Sequence, residues 1–556
     1  MTDPAKEQNI VGSDPMSALS SESVSSVSPS SPPHSIISSN PSEDQDDQTR
    51  IQPVQHNGFV VDSGPNALHL DAEVDGDVGR HGPGGPEHII HISSIERCMP
   101  RSYIRICLAY RLPDPDMLPE VEKKLNSFIR RTIDAKPYLC GYVVAVREPG
   151  NRVGAIEVRF SDRDFVEFPR VNFRRLTHAE VPYSYDDLDR MGLPPSIIKP
   201  ELISALAESA DEDRAPVFRV QANLVEGGLI VSVYLHHCIS DGTGIGMLIS
   251  GSVLKDEFTF DRPVDADGHD MPGLSSRLHA YANRKSVVRE ALSYIPENLV
   301  YDRQLKCKST SAASPVNHPT RPRGRGCVVA FSLEKLAEVK RSLECHADGN
   351  FMTPNDVLLA LLWHHMTRAR APSLLQSSQI THSKLLIPIN IRNKLGEPLP
   401  ESYFGAAIDF AACEQPIPPL ANASTPQIVQ TAMAIRKAIN SVDEPYIRQA
   451  IALAKYAGPD RDVRDLQASN MDRANGADMY VTSWEKLKCY ETTFDMDLGP
   501  PDWVRKPWSK DPGSCIVLPY DDRKEFIEVV IQMTEIDMER LLDDCEFMQY
   551  VVRVID

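Results

Sequence analysis

Apolar and polar residues follow two different periods along this chain, and each period predicts a different kind of element. Apolar residues at every second position over 218–224 predict a strand that buries one face. A turn at Gly227-Gly228 follows, and the nearly continuous apolar run over 229–235 predicts a fully buried returning strand. Further strands are predicted over 104–110, 142–146, 327–331 and 527–531, with an apolar run over 89–92.

Helical spacing appears between these strands. One helix is predicted from the apolar positions Val121, Leu125, Phe128, Ile129 and Ile133, and another over 244–254. A third has Thr353 as its N-cap, Pro354 at its first position and Asp356 in its first turn. Its predicted buried face holds Leu358, Leu361, Leu362 and His365. Strands that alternate with helices predict a mixed α/β fold.

Two segments lack this periodicity and divide the chain. Residues 1–86 are rich in Ser, Pro, Gly and Asp, and such a composition predicts a disordered tail. Residues 301–326 gather Ser, Pro, Arg and Gly, which predicts a crossover linker. The remaining ranges, 87–300 and 327–556, are therefore predicted to be an N-terminal and a C-terminal domain.

The charge and the cysteine content of the chain argue against several classes of function. The formal net charge of −19 opposes binding to nucleic acid, and the basic run over 321–325 is interpreted as a solvated part of the linker rather than the lining of a polyanion site. Eleven scattered cysteines without a C-x-x-C pair indicate reduced thiols rather than a disulfide framework or a zinc site. No run of about 18 apolar residues and no basic-then-apolar leader are present, so we expect a cytoplasmic protein without a membrane span.

Candidate chemistry centres on His237, which lies just beyond the predicted strand 229–235. An imidazole can take a proton from an attacking hydroxyl and then give one to a leaving group near neutral pH. Asp241 is interpreted as a residue that stabilises the following turn through a partner cation, and Gly242 permits that turn to be tight. A bare H-x-x-x-D is expected by chance in a chain of this length, so the position at a strand end carries the argument.

Other histidines have simpler interpretations. His236 is interpreted as a packed strand-end residue, since adjacent strand residues point to opposite faces and no third metal ligand is suggested. His364 and His365 lie within the helix that follows Thr353, where core and surface positions are more frequent than catalytic ones.

Four ordered segments resemble the BAHD acyltransferases and their fungal relatives of the trichothecene O-acetyltransferase type. They are HHCISDG over 236–242, TPNDVLLALLW over 353–363 with RAR over 368–370, IPINIRNKL over 387–395 with PESYFG over 400–405, and VTSW over 481–484 with Tyr490 and DMDLGPP over 495–501. The first segment alone also occurs in nonribosomal-peptide condensation domains.

The resemblance implies a two-domain fold like that of chloramphenicol acetyltransferase, with acyl-CoA, most readily acetyl-CoA, as a co-substrate rather than a bound cofactor. It implies a small secondary metabolite with a hydroxyl group as acceptor, and we expect a monomer. His237 would be the general base, and Asp241 would point away and pair with Arg392. Among the other matched positions, Asp495 and Gly499 would be structural, and Ser483 and Trp484 would lie near the channel.

One departure from the family keeps alternatives open. Met496-Asp497-Leu498 replaces the family's Phe-Gly-Trp, and the lost glycine is expected to change the loop conformation, since Asp tolerates positive φ less freely. A non-catalytic binding or regulatory relative is one alternative. A condensation-type domain that uses a carrier-bound thioester is another, although no carrier segment is evident.

Overall fold

The computed structural model describes most of the chain beyond residue 85. The described ranges are 86–147, 153–206, 210–211, 213–255, 260, 273–295, 323–347, 349, 351–374, 380–395, 399–456, 462–464, 476–507 and 512–556. The predicted tail, except its last residue, and residues 301–322 of the predicted linker lie outside the described residues.

The predicted mixed α/β fold is confirmed. The helices are α1 (Ser94–Arg97), α2 (Leu118–Ala135), α3 (Asp162–Val166), α4 (Tyr185–Met191), α5 (Pro200–Ile203), α6 (Gly242–Ile249), α7 (Leu274–Ala291), α8 (Leu333–Glu344), α9 (Pro354–Leu374), α10 (Ile417–Ala421), α11 (Thr425–Asn440), α12 (Glu444–Tyr456), α13 (Glu535–Asp543) and α14 (Cys545–Met548). The strands are β1 (Glu87–His91), β2 (Tyr103–Arg111), β3 (Tyr142–Ala145), β4 (Ile156–Ser161), β5 (Asn172–Arg175), β6 (Arg214–Pro216), β7 (Phe218–Val225), β8 (Gly228–His236), β9 (Gly324–Ser332), β10 (His382–Asn390), β11 (Ile408–Pro416), β12 (Met479–Ser483), β13 (Trp503–Arg505), β14 (Ser514–Val517), β15 (Phe526–Thr534) and β16 (Val551–Ile555).

Within these ranges the strands form three sheets. A four-stranded sheet has the order β1-β4-β3-β6, and a five-stranded sheet has the order β13-β2-β8-β7-β5. The seven-stranded sheet has the order β11-β10-β12-β14-β15-β9-β16 and contains both parallel and antiparallel neighbours. All three sheets are buried against helices, which is the layered arrangement that α and β elements adopt to cover their apolar faces.

The five-stranded sheet contains strands from both predicted domains. Strand β13, from the C-terminal half, pairs with β2, so that Val504 lies opposite Leu108. Next to this strand, the Tyr185 hydroxyl donates to Asp502 over 2.9 Å, and the Trp503 indole donates to Asp189 over 2.7 Å. The two predicted domains therefore share a sheet, and strand β8, which precedes His237, lies within it.

Strand β7 differs from its prediction. We expected one buried face, but both faces are buried, and that prediction was wrong. Polar residues lie in the middle of the second face: Gln221 donates to Asn223 over 2.8 Å, and Asn223 donates to the carbonyl of Ile203 at the end of α5 over 3.0 Å. Hydrogen bonds to the covering segment permit the polar side chains to be buried there.

Two predicted boundaries also move. The helix predicted over 244–254 begins at Gly242, because the Asp241 carboxylate accepts the amide of Gly244 as an N-cap, and it ends before Gly251, whose φ is 74°. Strand β9 begins at Gly324, inside the predicted linker, because residues 324–326 continue the pairing with β15.

The helical periodicity places the core correctly. All five apolar positions predicted for α2 are buried. Helix α9 is buried around most of its circumference rather than on one face, because helices α8, α10, α11 and α13 all pack against it. None of the helices within the described ranges is long and apolar enough to cross a membrane.

The hairpin between β7 and β8 depends on close contact with α4. A Cβ atom at Gly228 would lie 2.0 Å from the ring of Tyr185, which Asp502 holds through its hydroxyl. Gly228→Ala should therefore lower the free energy of unfolding by about 1–3 kcal/mol, as overpacked substitutions do, measured by urea denaturation. Glu226→Ala in the same turn is exposed and should change it by less than about 0.5 kcal/mol. Equal stabilities of the two variants would contradict this contact.

Candidate active site

The histidine loop, residues 237–241, begins where β8 ends. The backbone amide of His237 donates to the carbonyl of Ser102 over 2.9 Å, and the amide of Ile239 donates to the carbonyl of His236 over 2.9 Å. The chain on both sides of the His237 side chain is therefore bound to the sheet. The structure thus places His237 at the strand end predicted from the sequence.

His237 is partly exposed, whereas its sequence neighbours are buried. Burial lowers the pKa of the imidazole below the ordinary 6.5, against the opposing effects of its own backbone and of the charge on Asp241. At neutral pH the imidazole is therefore in its neutral form, which has a lone pair available to accept a proton.

The other histidines singled out in the sequence are in structural positions. His236 is fully buried, packs edge-on against Tyr103, and accepts the amide of Cys238 over 3.2 Å. Burial lowers its pKa to about 3. His364 bonds to the carbonyl of Leu420 over 2.7 Å, and His365 to Asp544 over 2.8 Å. In the described part of the chain, no group of three or more His, Cys, Asp or Glu side chains could hold a metal ion.

Asp241 and Arg392 form a buried ion pair. The two guanidinium Nη atoms lie 2.8 and 3.1 Å from the two carboxylate oxygens. The amides of Ala407 and Gly244 also donate to the carboxylate, over 2.9 and 3.0 Å. With four donors, Asp241 has no oxygen left to direct at a substrate, and its role in this geometry is structural.

Arg392 is equally saturated. Its Nε donates to the carbonyl of Tyr403 over 3.0 Å, and its Nη2 donates to the carbonyl of Gly405 over 2.6 Å. Its Nη1 also contacts Asn390 Oδ1 at 3.1 Å. The N-x-R segment (390–392) and the Y-F-G segment (403–405) therefore meet around Arg392, the partner of Asp241.

Electrostatics keep the carboxylate of Asp241 ionised at neutral pH. Burial alone would raise its pKa, but the charge and hydrogen bonds of Arg392, with the amides of Ala407 and Gly244, leave the pKa below its ordinary value. Ionised Asp241 thus contributes stability above the pKa of the unfolded chain, and that contribution is lost as the pH falls.

Trp484 lies beside the first turn of α6. A Cβ atom at Gly242 would lie 3.5 Å from the Trp484 indole, so Gly242 places the helix N-terminus against this ring. Ser483, at the end of β12, is exposed, and its hydroxyl accepts the amide of Glu485 over 3.3 Å. Ser483 and Trp484 therefore follow a strand end close to the start of α6, next to the histidine loop.

Asp495 and Gly499 lie on a loop that is bound to α2. Asp495 pairs with Arg131 and Asp497 with Lys124, both at the surface. Asp497, where the resembled family has glycine, has a φ of 62°, and Gly499 has a φ of 78°. Asp497 thus adopts the left-handed backbone that glycine favours.

Sequence reasoning missed two residues next to the histidine loop. Glu96 and Arg289 are both fully buried, with Arg289 Nε 3.1 Å from Glu96 Oε1. Arg289 also donates from Nη2 to the carbonyl of Ile239 over 3.1 Å. Ser93 and Glu96 carry a readable signal, since they form the capping box of α1. Nothing in the sequence around Arg289 distinguishes it from other basic residues of α7.

Removal of the Asp241 charge should destabilise the protein. Asp241→Asn leaves Arg392 buried without its counter-charge and should lower the free energy of unfolding at pH 7 by about 3–5 kcal/mol, measured by denaturant unfolding. The wild type should lose this advantage as the pH falls through about 4, whereas the variant has none to lose. Asp495→Asn, which breaks an exposed pair, should cost at most about 1 kcal/mol. The same small cost for both variants would show that the buried pair does not support the fold.

Comparison with known proteins identifies the family of the chain. The profile of the Transferase family matches residues 171–548. An eremophilane O-acetyltransferase of Penicillium roqueforti is 25% identical over 473 residues, which cover 82% of this chain and 97% of the relative. The trichothecene 3-O-acetyltransferase TRI101 of Fusarium sporotrichioides is 24% identical over 462 residues, which cover 81% of this chain and 93% of the relative.

Solved structures agree in fold. The crystal structure of F. sporotrichioides TRI101 with coenzyme A and T-2 superposes with a TM-score of 0.67 at 20% identity, covering 84% of this chain and all of that one. F. graminearum TRI101 with coenzyme A and deoxynivalenol gives a TM-score of 0.68 at 18% identity, with the same coverage. The predicted chloramphenicol acetyltransferase-like fold is thereby confirmed. The chain belongs to the Transferase family and is an acyltransferase of its BAHD-like, trichothecene O-acetyltransferase-like branch.

Proposed function

We propose that this acyltransferase moves an acyl group, most readily acetyl, from acyl-CoA to a hydroxyl of a small secondary metabolite, with His237 as general base. The observation that carries the proposal is the neutral, partly exposed imidazole on a loop whose backbone is bound on both sides. The relatives support the choice of substrates: two are named as O-acetyltransferases of eremophilane and trichothecene compounds, and the TRI101 structures contain coenzyme A.

The proposed reaction has two proton transfers through one imidazole. His237 takes the hydroxyl proton as the oxygen attacks the thioester carbonyl and forms the C–O bond of a tetrahedral intermediate. As the intermediate collapses, the C–S bond breaks and the imidazolium gives its proton to the sulfur. The products are the ester and free CoA thiol, and His237 is returned to its neutral form.

Asp241 has no proton-transfer role in this proposal. Its carboxylate is saturated by Arg392 and two backbone amides, so its charge is balanced locally. It sets the direction of the chain as the N-cap of α6 and so limits where the His237 ring can lie. For Ser483 and Trp484 we propose positions along the pantetheine arm or near the developing oxyanion, since both lie beside the start of α6.

For Asp495 and Gly499 we propose a structural role, in which their loop is bound to α2 at the CoA entrance. We also propose that the protein acts as a cytoplasmic monomer. The ten cysteines within the described ranges are free thiols, as suits a reducing compartment.

Substitution of the base tests the proposal directly. His237→Ala should lower kcat for ester formation by about 10²–10⁴-fold while coenzyme A still binds, because only the proton acceptor is lost. Thiol release from acetyl-CoA would be measured with a panel of alcohols that includes eremophilane and trichothecene compounds, and coenzyme A binding by calorimetry. His346→Ala, an exposed histidine at the end of α8, is the matched control and should keep full activity. Undiminished turnover in His237→Ala would refute the base.

The pH dependence gives a second test. The pKa of His237 is lowered from the ordinary 6.5, so the base form should persist below that pH. The value of kcat/KM should stay constant from pH 8 down to below about 6.5 and then fall as the imidazole is protonated. A profile that already falls above pH 7 would contradict a neutral, desolvated base.

A further inference from the structure

A second buried ion pair contacts the histidine loop at Ile239. Glu96, in α1, and Arg289, in α7, are both fully inaccessible to solvent. One carboxylate oxygen of Glu96 lies 3.1 Å from Arg289 Nε, and the other accepts the backbone amide and the hydroxyl of Ser93. Arg289 also lies over the ring of Tyr138, 5.4 Å from its centroid. The charges are therefore buried with specific partners on each side.

Arg289 contacts the histidine loop itself. Its Nη2 donates to the carbonyl of Ile239 over 3.1 Å, and Ile239 is two residues after His237. This bond joins α7 to the middle of the loop, whereas the Asp241–Arg392 pair holds its end. A hydrogen bond from a charged donor in a buried site is among the stronger ones available to a loop carbonyl.

Tyr403 joins the two ion pairs. Its backbone carbonyl accepts Nε of Arg392 over 3.0 Å, and its hydroxyl donates to Oε1 of Glu96 over 3.1 Å. The ring reaches Glu96 only because Gly405 has no side chain: a Cβ there would lie 2.4 Å from the Tyr403 hydroxyl oxygen. The tyrosine and the glycine of the Y-F-G segment are thus both required by the same contact.

These hydrogen bonds and ion pairs form a closed chain of contacts around the loop. From Ile239 it runs through Arg289, Glu96, Tyr403 and Arg392 to Asp241, and the loop backbone completes it. We propose that Arg289, held by Glu96 and Tyr403, is a positioning residue that fixes the angle of His237 for proton transfer. This inference rests on the proposed function of His237 as base, and Arg289 acts on the reaction only through the loop.

The geometry explains why arginine is needed. Arg289 forms an ion pair with Glu96, with Nε 3.1 Å from the carboxylate, and donates from Nη2 to Ile239, so the extended guanidinium contacts both partners at once. A lysine would keep the positive charge but present a single ammonium, which cannot reach both partners from the same stem. Arg289→Lys therefore separates the charge of the residue from its contact with the loop.

The test compares Arg289→Lys with the wild type in kcat, in KM for acetyl-CoA and in folded fraction. We expect kcat per folded molecule to fall about 10- to 100-fold, since small displacements of a catalytic group have effects of that size. KM for acetyl-CoA should change by less than about twofold, because these contacts position His237, which is needed in the transition state rather than for binding of acetyl-CoA. Tyr403→Phe keeps the ring and the backbone carbonyl and should give a smaller fall in the same direction. It keeps the test decisive if Arg289→Lys does not fold.

A matched control lies elsewhere in the same chain. Arg505 and Glu528 form another fully buried pair, 2.8 Å apart, and Arg505 donates to the carbonyl of Gly192 over 2.6 Å. Arg505 lies opposite Cys107 on β2, four residues along that strand from Tyr103, which faces His236. That separation is about 13 Å. Arg505→Lys should lower stability as Arg289→Lys does, but leave kcat per folded molecule unchanged.

Equal loss of kcat in Arg289→Lys and Arg505→Lys, or none in Arg289→Lys and Tyr403→Phe, would overturn the inference. Amide deuterium exchange provides a readout that is independent of turnover. Peptides that span 236–245 should exchange faster in Arg289→Lys but not in Arg505→Lys. If the wild type released no thiol from any acyl-CoA, the proposed function would fail. Exchange unchanged in Arg289→Lys would instead refute the positioning role.

Discussion

The buried pair between Asp241 and Arg392 is the interaction on which the site depends. Burial of two charges costs several kcal/mol per ion unless every donor and acceptor finds a partner. Here both side chains are saturated, by Ala407 and Gly244 on one side and by Tyr403 and Gly405 on the other. The pair fixes the relative positions of the end of β8, the N-terminus of α6 and the segment before β11. A more flexible contact would not define these positions.

The protonation state of His237 follows from this arrangement. The carboxylate near the base is already neutralised, so it raises the pKa of His237 less than burial lowers it. The imidazole therefore stays neutral and can accept a proton without first losing one. Because His237 is bound through its backbone on both sides, the ring has few positions available, and positional restraint of this kind lowers the entropic cost of reaching the transition state.

Sequence reasoning located His237, the proposed base, because the signal is local. The end of an apolar strand and the following Asp-Gly turn lie within a few residues of each other, and the structure places His237 beyond β8 accordingly. The apolar spacing of α2 was equally local, and its predicted positions are buried. The second face of β7 was misjudged because Asn223 is satisfied by the carbonyl of Ile203, a contact that no periodicity reports.

Contacts between residues that are distant in sequence could not be predicted, because they leave no local pattern. Arg289 acquires its role only when α7 brings it to Ile239, and its own neighbours along the helix are ordinary. At Asp497, where the resembled family has glycine, the chain takes the left-handed backbone, and the side chain pairs with Lys124. The cost of that backbone for a non-glycine residue is of order 1 kcal/mol, within what the surrounding contacts can hold.

The most direct test of a neutral base at His237 is histidine NMR on protein labelled with ¹³C and ¹⁵N in its imidazole rings, with His237→Ala used to assign the signal. The account predicts that His237 is neutral at pH 7 and titrates below the ordinary 6.5. A ring that titrates at or above 6.5 would contradict it.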